Sequence, residues 1–301
     1  MNENIIIETI SLELPIDVSS AKLKQLSGKT VLIKCGGNAM IDEQVKQDIV
    51  ADVVALKKAN ITPVIVHGGG PAIQKLLNEV GVESEFVDGH RKTDAETMGY
   101  VEMALSGSVN SELVSLISDA GIKAVGISGK DGDIATARKR THQVTIDGQQ
   151  QEVDLGHVGD IDSIDTSLVK LLIENDYIPV ISPVAGGKDL DAYNVNADMF
   201  AGHMAGALGA ERYVALTNVD GLQLDPHDPS TLIEKVSVQE ARSEIGNRIQ
   251  GGMIPKVESC IIALEEGVDS AHIINGMKAH NILRALLTDD SVGTTITRDK
   301  E

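Results

Sequence analysis

The chain has 301 residues, 42% of them hydrophobic, with a mean hydropathy close to zero, enough for one large globular domain or two lobes around a sizeable core. Its 45 acidic and 26 basic residues give a formal charge of −19, a field that repels a duplex or an anionic membrane, so neither nucleic acid nor membrane is an expected partner. The chain has no apolar run of about 18 residues and no positively charged start, and its two cysteines, Cys35 and Cys260, suit a reducing compartment; a cytoplasmic location is expected.

Residues 1–27 are read as an N-terminal arm: Pro15 interrupts any helix, and only residues 19–26 form a short one, with a serine N-cap. From Gly28 the pattern alternates between strand and helix. A buried strand over residues 30–35 ends at Gly36-Gly37, and the following helix carries Val45, Ile49, Val53 and Leu56 at helical spacing. A second strand, 62–66, runs into His67-Gly68-Gly69-Gly70-Pro71 and another helix. Further strands are predicted at 124–127, 178–181, 213–216 and 272–274, and helices at 94–105, 111–119, 167–174, 197–208 and 254–265. The stretch 144–153, with Asp147-Gly148 at its middle, signals a hairpin. A soft change in composition near Gly186-Gly187-Lys188-Asp189 divides the chain into an N-terminal lobe, 28–189, and a C-terminal lobe, 190–301.

Several familiar signatures are absent. No Gly-x4-Gly-Lys-Ser/Thr occurs, and Ser128-Gly129-Lys130-Asp131 lacks both the upstream glycine and the hydroxyl. Nor does a Gly-x-Gly-x-x-Gly follow the first strand. The histidines and cysteines show no metal-ligand spacing, so no protein-held metal is expected.

Four features at strand ends remain. Lys34 lies inside an apolar strand two residues before Gly36-Gly37, where it is costly unless an anion meets it; the plainer alternative is a lysine that snorkels to water. Gly68-Gly69-Gly70 leaves backbone N–H groups unshielded at a helix start, suiting a phosphate or carboxylate, although an ordinary strand-to-helix turn uses glycine too. Asn194-Val195-Asn196-Ala197-Asp198 offers amides for a substrate carboxylate, with Asp198 equally able to cap the next helix. Gly251-Gly252-Met253-Ile254-Pro255-Lys256 puts a lysine against a helix dipole, which favours a bound anion over a solvated lysine only slightly. Together the four supply what phosphoryl transfer needs, namely positioning and charge neutralisation.

Residues 31–40, His67–Pro71, Asp88-Gly89-His90-Arg91-Lys92-Thr93-Asp94, Asn194–Asp198 and Gly251–Lys256 resemble, in the same order, the acetylglutamate kinases of the amino acid kinase family. The likeness extends from about Gly28 to Ile296. It implies an α/β fold, a three-layer αβα sandwich around a mainly parallel central sheet. It also implies transfer of the γ-phosphoryl group of ATP, with Mg2+, to the γ-carboxylate of N-acetyl-L-glutamate in arginine biosynthesis, within a homodimer or higher homo-oligomer. The N-terminal lobe then binds the amino acid and the C-terminal lobe the nucleotide.

By position, Lys34 and Lys256 stabilise the transferring group and Asp198 holds both. Gly36, Gly37, Gly68 and Gly69 donate backbone N–H bonds, Arg91 clamps the α-carboxylate, and Asn194 and Asn196 bind beside it. Thr217, Asn218, Val219, Gly221 and Met253 border the nucleotide. No general base is required, because a carboxylate with a pKa of about 4.3 is already ionised at neutral pH. Some positions depart from the family pattern. Asn218 and Asn275 replace aspartates, and Ala285 stands where arginine-inhibited members carry a glutamate, so arginine inhibition is expected to be weak or absent. The same parts also suit N-acetyl-aminoadipate, one methylene longer. A purely regulatory module has no use for the two lysines and their carboxylate.

Overall fold

The computed structural model describes residues 14–146, 149–188, 191–225 and 228–299. The chain forms α1 (Ser20–Leu26), β1 (Thr30–Cys35), α2 (Glu43–Lys58), β2 (Thr62–His67), α3 (Gly70–Val80), the two-residue strands β3 (Phe86–Val87) and β4 (His90–Arg91), and α4 (Ala95–Glu102). A π-helical stretch, Met103–Val109, leads without a break into α5 (Asn110–Asp119). Next come β5 (Ala124–Ser128), β6 (Ala135–Ile146), β7 (Gln149–Ile164), α6 (Ser167–Glu174), β8 (Ile178–Ser182), β9 (Val184–Gly187) and β10 (Ala192–Val195). The last part holds α7 (Ala197–Leu208), β11 (Arg212–Thr217), β12 (Lys235–Ser237), α8 (Val238–Glu244), α9 (Ile254–Glu265), β13 (Ser270–Asn275), α10 (Asn281–Leu287) and β14 (Thr294–Thr297).

Eight strands share one sheet in the order β12-β14-β13-β11-β1-β2-β8-β5, parallel throughout except where β14 runs against β13. Burial on both faces explains why β1 reads as a continuous apolar run. Leu32 packs with Phe200 and Met204 of α7 in one core layer. Val31 and Ile33 face the other layer, with Val53 of α2 and Leu283 of α10. Beside this sandwich, β10-β7-β6-β9 close into a small barrel. The chain leaves β1 toward β2 on one side, and β11 flanks it on the other. The order of strands reverses there, which opens a crevice at their C-terminal ends.

All six strands expected by range from the sequence are present, as are the seven helices expected after Gly28, with one change. The helix expected over 94–105 widens into the π-helical stretch from Met103 onward. The hairpin at 144–153 is formed by β6 and β7, with Ile146 opposite Gln149; its centre, Asp147-Gly148, lies outside the described residues, as do residues 1–13 of the arm.

Residues 19–26 are corrected from arm to core. Leu23 and Leu26 are each 1% exposed and pack in the layer that holds α2 and α10. Ser19 precedes α1 but does not cap it with its hydroxyl; its backbone N–H donates to the Leu287 carbonyl at 2.7 Å instead. Asp189, at the expected lobe boundary, lies outside the described residues, and β9 and β10 pair antiparallel on either side of it.

Candidate active site

The crevice contains a cavity of about 320 Å3, lined by the ends of β1 and β2, the β3–β4 hairpin, β10 and the starts of α7 and α9. Its deepest feature is a carboxylate held between two ammonium groups. Lys34 Nζ lies 2.8 Å from Asp198 Oδ1, and Lys256 Nζ donates to Asp198 Oδ2 at 3.1 Å. Lys34 and Asp198 are almost wholly buried, so the lysine inside β1 meets an internal anion and does not snorkel to water.

Local chain chemistry creates this meeting. The Asn196 side chain caps α7, accepting from the N–H groups of Asp198 at 2.9 Å and Met199 at 3.2 Å, which frees the Asp198 carboxylate from capping. The bare face of Gly202 lets α7 press directly on α9: a Cβ there would stand 2.5 Å from the Ser259 carbonyl oxygen. That contact brings Asp198 and Lys256 within reach of each other. Gly36 makes room for Lys34 itself, whose Nζ stands too close to leave space for a Cβ there.

Burial acts to raise the Asp198 pKa, but the charges of Lys34 and Lys256 and their hydrogen bonds outweigh it and hold the carboxyl below its ordinary value. Burial, together with repulsion from Lys34, depresses the Lys256 ammonium against the pull of Asp198. The trio therefore carries one net positive charge inside a chain that is strongly acidic overall, and it is the local cation that an anionic ligand requires.

Gly68, Gly69 and Gly70 line the same cavity, but their backbone donors are not equivalent. The Gly68 N–H donates to the Cys35 carbonyl at 2.7 Å. The β1–β2 register that sets Cys35 opposite His67 thus takes this donor away from a ligand. Gly69 has no room for a side chain, since a Cβ would stand 2.5 Å from Leu105 Cδ2 in the π-helical stretch. Arg91 enters from β4, with its guanidinium over the Phe86 ring at 4.6 Å. It donates to Gln74 at 2.9 Å and to Ser84, and burial lowers its pKa. Asn194, on β10, faces the cavity together with Asn196, although the Asn196 carbonyl oxygen is already engaged in the helix cap.

A second cavity, of about 410 Å3, opens at the C-terminal side of the crevice, with Val219, Gly221 and Met253 on its wall. Met253 and Lys256 are three residues apart at the entry to α9, so this space neighbours the lysine. Thr217 and Asn218 lie at the end of β11 and do not line it. The loop after them is pinned through Asp220, which accepts from Asn275 at 2.9 Å and pairs with Lys278 at 2.7 Å. Leu222, at the end of the 217–222 stretch expected to border the nucleotide, also lines this cavity; residues 223–224 and 247–250 line it too and were not anticipated, and the clue available was the stretch Asn247-Arg248-Ile249-Gln250 directly before Gly251-Gly252. Gly36 lines the first cavity and Gly37 follows it in a 3-10 turn. The Ser128–Asp131 segment is a turn in which Asp131 accepts from the Ser128 N–H at 2.6 Å and Oγ at 2.9 Å.

The donor set of the first cavity does not fit a protein-held metal, because both oxygens of Asp198 are already engaged by ammonium groups. Among the described residues no helix is long and apolar enough to cross a membrane.

The fold and the crevice together define an α/β phosphotransferase, with two neighbouring cavities at the C-terminal ends of the strands. Residues 29–275 match the amino acid kinase family, and the chain belongs to that family. It is 48% identical over 279 residues to the acetylglutamate kinase of Methanocaldococcus jannaschii, covering 92% of this chain and 93% of that protein. It is 46% identical over 270 residues to the acetylglutamate kinase of Methanococcus aeolicus, covering 89% and 92%. Among solved structures, N-acetylglutamate synthase from Neisseria gonorrhoeae, complexed with coenzyme A and N-acetyl-glutamate, superposes with a TM-score of 0.79 at 26% identity. That match covers 94% of this chain but only 62% of the synthase.

Proposed function

We propose that the protein phosphorylates the γ-carboxylate of N-acetyl-L-glutamate with ATP, forming N-acetyl-L-glutamyl 5-phosphate and ADP, a step of arginine biosynthesis. The observation that carries this reading is the pair of ammonium groups, Lys34 and Lys256, fixed on the two oxygens of Asp198 at the wall of a cavity between glycine turns. A carboxylate oxygen of the acceptor forms a bond to the γ-phosphorus while the bond from that phosphorus to the β,γ-bridging oxygen breaks. The electron pair of the broken bond leaves with ADP. The acceptor is already an anion, so no proton has to be removed. Negative charge on the transferring and leaving oxygens is met by the two lysines, which Asp198 holds in place before substrate arrives.

In this reading Arg91 and Asn194 receive the α-carboxylate and amide end of the acceptor. The N-terminal lobe, 28–189, then serves the amino acid, and the C-terminal lobe, 190–301, serves the nucleotide through Val219, Gly221 and Met253. Thr217 and Asn218 lead from β11 into that loop. ATP enters as its complex with a divalent cation, Mg2+, carried by the phosphates. The working form is a homodimer or a larger homo-oligomer.

The experiment is ADP release measured with N-acetylglutamate and with N-acetyl-aminoadipate, with hydroxylamine present to trap the acyl phosphate as a hydroxamate. Hydroxamate formation with the shorter acceptor supports the reading. A clear preference for the longer acceptor reassigns the substrate, and failure to turn over either one refutes the kinase.

A further inference from the structure

His67 is completely buried at the end of β2, directly behind the glycine turn, and the phosphoryl transfer described above makes no direct use of it. Its Nε2 lies 3.0 Å from the side-chain nitrogen of Asn110, and its Nδ1 lies 3.0 Å from the carbonyl oxygen of Gly68. The Asn110 nitrogen also faces the Val180 carbonyl at 2.9 Å, which identifies it as the donating NH2. His67 Nε2 must therefore accept, so Nδ1 carries the proton and donates to Gly68. Asn110 approaches this closely because β5 presents a bare Gly126 beneath it, where a Cβ would overlap the amide oxygen. Asn110 itself is delivered by the end of the π-helical stretch, whose Leu105 and Val109 press on Gly69.

Resting on the kinase reading, we propose that His67, locked by Asn110 as the Nδ1–H tautomer, is a positioning residue that aims the Gly69 N–H into the acceptor cavity. The logic is that of a planar trans peptide, in which the C=O of Gly68 and the N–H of Gly69 point in opposite directions. No described peptide is cis. Drawing the Gly68 carbonyl inward to the buried imidazole turns the Gly69 N–H outward, toward the cavity that Gly69 lines. The role falls to this donor because the neighbouring Gly68 N–H is committed to Cys35. Burial holds the imidazole pKa down at about 4, so the ring is neutral near pH 7.

Two amide replacements separate positioning from mere filling of space. In His67→Asn the side-chain amide nitrogen can take the place of Nδ1 and keep the donor to Gly68. In His67→Gln the amide reaches the place of Nε2, keeping the contact with Asn110 and losing the donor to Gly68. His67→Asn is expected to retain kcat within about fivefold, and His67→Gln to lose about tenfold or more. A space-filling role predicts the opposite order, because asparagine leaves the larger void; that order, or equal losses, overturns the proposal. Nitrogen NMR of the wild-type imidazole provides an arm that needs neither variant nor substrate. A protonated Nδ1 and an unprotonated Nε2 at pH 6 to 8 are expected, and an Nε2–H tautomer or an imidazolium overturns the assignment. If the tautomer is as expected but the wild-type protein lacks kinase activity, the functional reading fails and the peptide lock stands.

Discussion

Replacing Gly36 by alanine tests the cationic site through geometry, without removing a charge. Gly36 does not require left-handed backbone, so alanine is permitted there and the fold should survive. The new Cβ would stand 2.4 Å from Lys34 Nζ, whereas contact between such atoms settles near about 3.5 Å. The ammonium must therefore retreat by about 1 Å, and its 2.8 Å ion pair with Asp198 must stretch or rotate. Misplacing a catalytic group by about 1 Å costs on the order of 100-fold in rate. We expect Gly36→Ala to lower kcat by about that factor while thermal unfolding shifts by only a few degrees. Coupled ADP release and calorimetry on the same preparation provide both numbers. A variant with kcat within threefold of the parent would show that the position of Lys34 does not limit the chemistry.

Removing the charges outright, with Lys34→Met or Lys256→Met, should lower kcat on the order of 100-fold or more, and near-normal kcat in either variant would end that lysine's assignment. Arg91→Lys keeps a charge but loses the planar fork, so KM for the acylated amino acid should rise with KM for ATP nearly constant; the reverse pattern would put Arg91 on the nucleotide side. Asp52, buried on α2, accepts from His280 at 2.8 Å and from the Ile282 N–H at 3.2 Å, and burial, against those bonds, pushes its carboxyl up to about 6. Between about pH 4 and 6 the folded chain thus holds a proton that the unfolded chain has released, so this group's contribution to stability falls as pH rises through that window. Asp52→Asn cannot ionise, and its melting temperature should gain on the parent between pH 4 and 6.5; a constant difference would contradict the raised pKa. Arginine should inhibit weakly or not at all, because Ala285 leaves no carboxylate at its own place in the cavity beside α1, whose wall carries the cations Lys22, Arg212 and Lys235 beside Glu234, while Asp289 and Asp290 pair with Lys22 and Arg284. Inhibition at micromolar arginine in an activity titration would refute that expectation.

The main strands were legible because burial on both faces writes a continuous apolar run, and Lys34 stood out as a charge within one. Register was not legible, and it is register that commits the Gly68 N–H to Cys35 and leaves Gly69 as the directed donor. The competition to cap α7 was open as well: Asn196 and Asp198 are both good caps, and only the folded chain shows the asparagine taking that role and the aspartate turning to the lysines. The π-helical stretch preserves the apolar face of an ordinary helix, so periodicity passes over it. Short strands such as β9 and β10, held by partners distant in sequence, carry too few residues for an alternating pattern. The burial of α1 had a visible trace in Leu23 and Leu26, three apart on one face, which the preceding proline overshadowed.

Seating both ammonium groups on one carboxylate also has a consequence for turnover. Two uncompensated lysines side by side would act as a trap for any small polyanion, and a cell is full of inorganic phosphate. With Asp198 as an internal counterion the two lysines contribute a single net positive charge beside Arg91, so the resting pocket would hold stray anions and spent ADP less tightly than two bare lysines would. Its full pull is reserved for the moment when charge spreads over the travelling phosphoryl group, and the geometry that speeds transfer also lets the products leave.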